Sequence, residues 1–363
     1  MKKKITIVAL ILILFTLVLS GCLDFLSSNS DNSVTYESHP TSLQFTISYG
    51  YTVDCSGSGK YTIRYDCDIP EVISGNIISI TAQNDDYIEK TLATYNLMKS
   101  WDISSSTTKN YDLGITTTVS SNSFIVSDLN GKDALTIEEI RALYPNIFNQ
   151  YTQEQGNDTI VFIQPNNLEV VNSATSVLNK AKTNNSFIIA KELFKWFKQQ
   201  TTYSQHLDDN SLQTASFTLN CKTGDCDDLS FLYISLCRSI GIPARFIRGF
   251  LIEEDNAIPH AWAEVFVGGE IGKSGWIPIE CAGVSGNLET EVNQNFGIES
   301  AAHLRLFKDD GSNESINISL SGFYSSYLET RIIKAEAYSD VTNYSVVKSN
   351  QLVIDKNGIR SYK

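Results

Sequence analysis

The sequence predicts an α+β protein, with a β-rich N-terminal domain that reads as a sandwich, a helical middle and a small C-terminal β region. Three observations carry this reading. Period-two alternation dominates up to about Ile125, apolar residues fall at helical spacing from about Gln164, and alternation returns beyond Ala301. With 42% hydrophobic and 19% charged residues, the 363-residue chain can bury a large core. Its length suits two or three domains.

Residues 1–22 stand apart from that fold. Lys2, Lys3 and Lys4 precede an apolar run from Ile5 to Leu19, and Ser20, Gly21 and Cys22 follow, which is the charged, apolar and small-residue order of a secretory signal. The segment resembles a lipoprotein signal with its lipobox, implying cleavage before Cys22 and a lipid on that thiol. An uncleaved anchor is the alternative, although the run is shorter than the ~20 residues a span usually needs. Both readings place the remainder at the extracytoplasmic face of the cell membrane, tethered through its N terminus. The net charge of −13, from 28 Lys and Arg against 41 Asp and Glu, argues against nucleic acid as a partner, because phosphate binding needs clustered cations.

A polar linker over 23–36, containing SSNSDNS from Ser27 to Ser33, is too poor in apolar residues to pack. The β-rich domain spans 37–125. Phe45, Ile47, Tyr49, Tyr51 and Val53 alternate with polar residues, as do Tyr61, Ile63, Tyr65, Cys67 and Ile69, and Ser56 to Gly59 separate the runs. The pattern predicts a β-hairpin with Val53 facing Tyr61 and Ile47 facing Cys67. That register keeps Cys55 and Cys67 beyond bridging distance, so Cys67 reads as a buried thiol.

A helical connector follows over 126–163. Asp128, Asn130 and Glu139 fall at positions 1, 3 and 12 of an EF-hand-like loop, but Lys132 and Asp133 depart from it, and Thr136 with Glu139 also reads as the capping box of a helix stopped by Pro145. The next region, 164–300, contains the chemistry. Phe187, Ala190, Phe194 and Phe197, widened by Leu193 and Trp196, mark a core-facing helix ending near Tyr203. The last region, 301–363, shows Leu304, Leu306, Ile316, Ile318 and Leu320 at strand-like spacing.

The informative segment runs from Asn220 to Phe250. Leu229, Leu232, Tyr233, Leu236, Cys237 and Ile240 define the buried side of a helix, Gly241 ends it, and Ile242-Pro243 opens a strand. Cys226 therefore sits at the start of a core helix, where unpaired amides favour thiolate over thiol, and Gly224 permits close backbone approach. Asp227 and Asp228 oppose a thiolate, so ionisation calls for a cationic partner. The four histidines are His39, His206, His260 and His303. His260 opens HAWAEVFV, and a second strand follows in GWIPIEC. Parity puts His260 and Glu280 on one face, and a register summing to 540 sets them directly opposite, with Cβ atoms about 5 Å apart. Glu264 lies about 13 Å along the strand from His260. Glu280 is thus the better orienter of the imidazole, while Pro278 implies an edge strand or a bulge.

These residues resemble the transglutaminase-like cysteine enzymes. The family core reads G-x-C-x-D, GIPAR, HAW-x-E and GW-x-x-x-D, met here by Gly224 to Asp228, Gly241 to Arg245, His260 to Glu264, and Gly275-Trp276 leading to Glu280. The resemblance covers about a third of the chain. It implies a papain-like α+β core over 164–300, with Cys226 as nucleophile, His260 as base and Glu280, where the family usually has Asp, as third member. No cofactor or metal is implied. Zinc on Cys221, Cys226, Cys281 and His260 is disfavoured by the C-x4-C spacing. Cys237 reads as core, and a Cys221–Cys281 bridge would staple the nucleophile's loop to the strand bearing Glu280. Tyr203 and Asn220 are candidates for a second oxyanion donor beside the Cys226 amide, and Trp262 and Trp276 for walls of the site. The expected function is acyl transfer or hydrolysis on protein or peptide amides through a thioester. A catalytically silent binding module and a surface cysteine peptidase are the alternatives.

Overall fold

The computed structural model describes residues 33–92, 96–205, 212–284, 286–321, 323–328 and 330–363. Residues 1–22, on which the expected lipoprotein signal with Cys22 falls, most of the expected linker and His206 lie outside these. Among the described residues no helix is long and apolar enough to cross a membrane.

Six strands open the fold: β1 (Val34–Gly57), β2 (Tyr61–Asp68), β3 (Gly75–Ala82), β4 (Ile88–Thr91), β5 (Leu97–Ser105) and β6 (Lys109–Asn122). Helices α1 (Ile137–Leu143), α2 (Pro145–Gln150), α3 (Leu168–Ala181), α4 (Ser186–Gln200), α5 (Ala215–Cys221) and α6 (Cys226–Ser239) follow. Then come β7 (Ala244–Ile252), β8 (Ala257–Phe266), β9 (Trp276–Ile279), α7 (Leu288–Asn295), β10 (His303–Lys308), α8 (Asn313–Ser321), β11 (Phe323–Tyr327), β12 (Arg331–Ile354) and β13 (Arg360–Tyr362).

The N-terminal part is a two-sheet sandwich. One sheet has the order β13-β12-β1-β6-β3 and the other β11-β2-β5-β4. The expected β1–β2 hairpin does not form. Both edges of β1 are occupied, by β6 with Phe45 opposite Val119 and by β12 with Val53 opposite Ala335, so β2 pairs with β5 and β11 instead. The apolar faces meet across the core rather than side by side, with Ile47, Val53 and Cys55 in one cluster with Ile63, Tyr65 and Trp101. Cys55 and Cys67 are buried free thiols, and burial pushes the Cys67 thiol up to about 12.

Residues 301–363 are distributed over the molecule rather than set apart. β10 pairs with β7 of the core sheet, β11 with β2, and β12 with β1. Ile316, Ile318 and Leu320, expected in a strand, lie in α8, whose first turn is capped by Ser312 Oγ accepting the Ser315 N–H at 3.1 Å. Two buried arginines clasp this region to the rest. Arg331 donates to the carbonyls of Gly59 and Ser106, and Arg360 to those of Val126, Asn293 and Phe296.

The middle of the chain wraps helices around α6. Phe187, Ala190, Leu193, Phe194 and Phe197 are fully buried, as the helical spacing predicts, and α4 ends at Gln200, three residues before Tyr203. Leu229, Leu232, Tyr233, Leu236 and Cys237 are buried, but so are Phe231 and Ile234. A helix apolar on all sides belongs at the centre of a core. Helices α3, α4 and α5 pack against α6, as do β7 and β8, which lie within the sheet β9-β8-β7-β10. Thr136 and Glu139 form the capping box that starts α1: Thr136 Oγ1 accepts the Glu139 N–H at 3.1 Å, and the Glu139 carboxylate accepts the Thr136 N–H at 2.8 Å.

Candidate active site

Cys226 is the first residue of α6, the buried central helix. Asp225 is its N-cap, accepting the Asp227 and Asp228 N–H groups, while Asp228 returns a bond to the Asp225 N–H at 3.2 Å. This reciprocal box fixes the angle at which the chain enters the helix. Gly224 is required here because a Cβ would stand 2.7 Å from Asp228 Cβ. The preceding backbone is tied to Tyr203, since Thr202-Tyr203 pairs in parallel with Thr223-Gly224.

His260 lies on β8 beside the end of β9. The observed register sets Ala263 opposite Ile279 and Phe266 opposite Trp276, a sum of 542, so the two strands are offset by two residues from the expected pairing. The parity is as expected, and both side chains emerge on one face. The ladder stops at Ile279, and the Glu280 N–H turns to the Asn295 carbonyl at 2.9 Å. Glu280 then reaches His260 diagonally, with Nε2–H donating to Oε2 at 2.8 Å. The added methylene of Glu over Asp suits this offset. Pro278 is tolerated because β9 is an edge strand.

Cys226, His260 and Glu280 line one open cavity of about 610 Å³, together with Tyr203, Asp225, Asp227 and His303. The Cys226 thiol and the His260 ring line the same cavity, and each shifts the ionisation of the other. Since Nε2 is engaged by Glu280, Nδ1 is the nitrogen left for sulfur. Burial disfavours charge on His260, but the Glu280 carboxylate and the neighbouring Cys226 outweigh it and push its pKa up to about 10. Burial likewise raises the Cys226 thiol above its ordinary range, with His260 as the largest opposing influence and Asp227 adding to the rise. The imidazolium therefore works against the desolvation of the thiolate, and the two partners stand or fall together.

The spacing of the motifs did not single out His303. It donates from Nε2 to the same Glu280 oxygen at 3.0 Å, and its Nδ1 meets Ser300 Oγ at 2.8 Å. Glu280 Oε1 accepts the Ala282 N–H at 2.8 Å. Four groups thus hold this region in one geometry: two imidazoles, one amide and the Ser300 hydroxyl. His39 packs on Tyr362 instead, with ring centroids 5.3 Å apart.

Behind the site, Trp262 stacks on His260 at 5.8 Å and donates to Glu299 at 2.9 Å. Trp276, four residues before Glu280 along the chain, packs beneath the Arg245 guanidinium at 4.0 Å and does not line the cavity. Tyr203 lines the cavity, whereas Asn220 donates to Glu169 at 2.8 Å. Cys221 and Cys281 are free, the first exposed and the second buried. The groups of metal-ligating residues drawn together among the described residues are His260, Glu280 and His303, and Asp225, Cys226 and Asp227, not the four-residue set of Cys221, Cys226, Cys281 and His260.

Residues 172–281 match the family model of the transglutaminase-like superfamily. This segment is a transglutaminase-like core. A solved structure from Cytophaga hutchinsonii, described as a candidate cysteine protease, aligns over 91% of this chain and 100% of its own, at 15% identity and a TM-score of 0.51. At that identity the likeness shows the fold. The periplasmic domain of TgpA from Pseudomonas aeruginosa aligns over 70% of this chain and 94% of its own, at 12% identity and a TM-score of 0.33. Comparison with curated proteins finds no match.

Within the transglutaminase-like core, two motif residues serve the frame. Arg245 of GIPAR and Glu264 of HAW-x-E are cross-strand partners, joined by Arg245 Nε to Glu264 Oε2 at 2.7 Å. Asp227 instead faces the nucleophile. Burial, then the charges of Asp225 and Asp228, push its carboxyl up to about 7. Its negative charge raises the Cys226 thiol, so Asp227→Asn is expected to speed alkylation of Cys226 about two- to tenfold above pH 7. Below that pH Asp227 is already protonated and the two proteins should converge. Rates of iodoacetamide labelling across the pH range check both halves.

Proposed function

We propose that the protein is an extracytoplasmic, membrane-tethered cysteine enzyme that performs acyl transfer or hydrolysis on protein or peptide amides. The observation that carries this reading is that the His260 imidazole, bonded to the Glu280 carboxylate, shares one open cavity with the Cys226 thiol and counters the rise in its pKa. In the proposed reaction the Cys226 thiolate attacks the amide carbonyl, and the backbone N–H of Cys226, at the first turn of α6, stabilises the oxyanion. His260 gives its proton to the departing amine, leaving a thioester on Cys226. Water or another amine then takes the acyl group and restores the proton to His260. Glu280 keeps the imidazole oriented and favours its cationic form. The tether is supported by the signal-like pattern of residues 1–22.

The test is to trap the acyl-enzyme. Incubation with glutamine-containing peptides, followed by acid quench and mass spectrometry, should reveal a hydroxylamine-labile adduct on Cys226 that is absent from Cys226→Ser. Ammonia release would assign glutamine-directed transfer, whereas new peptide termini without ammonia would assign a peptidase. A chain that binds peptides but forms no adduct would be a binding module, and the enzymatic reading would be abandoned.

A further inference from the structure

We propose that His260, Glu280 and His303 form a binding site for a divalent transition-metal ion of the zinc type, and that occupancy halts acyl transfer by withdrawing His260 from proton shuttling. The first half concerns geometry alone; the second rests on the enzymatic reading above. One donor atom from each residue, two imidazole nitrogens and a carboxylate oxygen, can be chosen so that all lie within 4.8 Å of one another. His260 Nε2 and His303 Nε2 already converge on Glu280 Oε2, at 2.8 and 3.0 Å. Tetrahedral bonds of about 2.0–2.1 Å separate neighbouring ligand atoms by roughly 3.3 Å, so these pairs need to open by only a few tenths of an ångström. Two imidazoles and one carboxylate, with a further position facing a cavity, is a donor set that holds zinc in open sites. The cavity of about 610 Å³ supplies that position.

The groups around these ligands also fit. A ligating histidine uses its other ring nitrogen to hold a tautomer. His303 Nδ1 lies 2.8 Å from Ser300 Oγ, and a hydroxyl can donate to that nitrogen without metal or accept from it with metal. His260 meets Glu280 through Nε2 and keeps Nδ1 apart from it, and the Ala282 N–H holds the second Glu280 oxygen. On binding, the His303 proton moves from Nε2 to Nδ1 and the Nε2 proton of the His260 imidazolium leaves to solvent. The metal takes both freed lone pairs and one carboxylate oxygen. His260 keeps Nδ1–H, but releasing it to a leaving amine would now require an imidazolate, so the shuttle stops.

The test uses the full-length untagged chain in detergent. Cobalt(II) titrated into Cys226→Ser, which cannot form the thioester, should give visible d–d absorption saturating at one equivalent and abolished by zinc. Adding His303→Gln to this variant keeps a donor to Glu280 but removes the imidazole lone pair, and binding should weaken a hundredfold or more with the thermal unfolding midpoint little changed. Absence of saturable cobalt binding, or binding indifferent to His303→Gln, would overturn the site. In the native chain, zinc should stop thioester formation and a chelator should restore it. Acyl transfer that continues at saturating zinc would overturn the switch while leaving both the site and the enzymatic reading in place. Absence of a thioester without zinc would instead strike the enzymatic reading.

Discussion

Replacing His260 by Ala is expected to lower acyl transfer on a peptide amide by on the order of 10²–10⁴-fold, the usual cost of losing a positioned general acid–base. Two contributions vanish together. Cys226 loses the partner that offsets the desolvation of its thiolate, and the departing amine loses its proton donor. Glu280 is also left buried without one of its hydrogen-bond partners. Glu280→Gln should act through His260 and cost less, because the ring stays in place while its main source of positive bias is removed. Its signature is a lowered His260 pKa, read as an acid-ward shift of the pH profile. Product formation measured for both variants against pH separates the two effects.

The second large effect concerns the frame. Arg305 lies within the core, bonded to Glu264 at 2.6 Å and to Glu299 at 2.9 Å, and both acids are themselves buried. Burial opposes charge on Glu264, but Arg245 and Arg305 outweigh it and hold the carboxyl at about 2. Arg305→Met should therefore destabilise the protein by about 3–5 kcal/mol, because it strands buried carboxylates without a counter-charge. The pH dependence has a definite sign. A carboxyl whose pKa is lower folded than unfolded stabilises the fold above its unfolded value, near 4.5, and that contribution fades as the pH falls toward 2. The deficit of Arg305→Met should accordingly be greatest at neutral pH and shrink through the carboxylate range. Denaturant unfolding of both proteins from pH 7 to pH 3 measures it. Trp262 hangs on the same Glu299 and stacks on His260, so the network also sets the height of the imidazole.

The residues of the candidate site could be read from the sequence because their chemistry is local to motifs. A glycine needed for close approach, a cysteine opening an apolar helix and a histidine opening a strand can each be read from a few positions. Parity placed Glu280 on the His260 face, and that part of the expectation survives the two-residue shift from the expected register. His303 was not legible in the same way. It sits on β10, brought beside β7 by a pairing that joins Leu251 to His303 across 52 positions, and no local pattern marks it. The β1–β2 hairpin failed for a related reason. Alternation says which face of a strand is buried, not whether that face meets its neighbour within a sheet or across a core, and the strand that displaces β2 from β1 is β12, near the other end of the chain. Ile316, Ile318 and Leu320 show the limit of spacing itself, because three apolar residues two apart also fit a short helix.

The central claim is that the thiol of Cys226 and the imidazole of His260 behave as one ionising unit. The rate of iodoacetamide labelling at Cys226, followed by peptide mass spectrometry across pH 5–10 in the native chain and in His260→Ala, tests it most directly. The account predicts slower labelling at every pH below the thiol's own ionisation in His260→Ala, by about tenfold for each unit of lost thiolate stabilisation. It also predicts a native profile shaped by two groups and a variant profile shaped by one. Superimposable profiles would show that sulfur and ring titrate independently, and the enzymatic reading would fall with them.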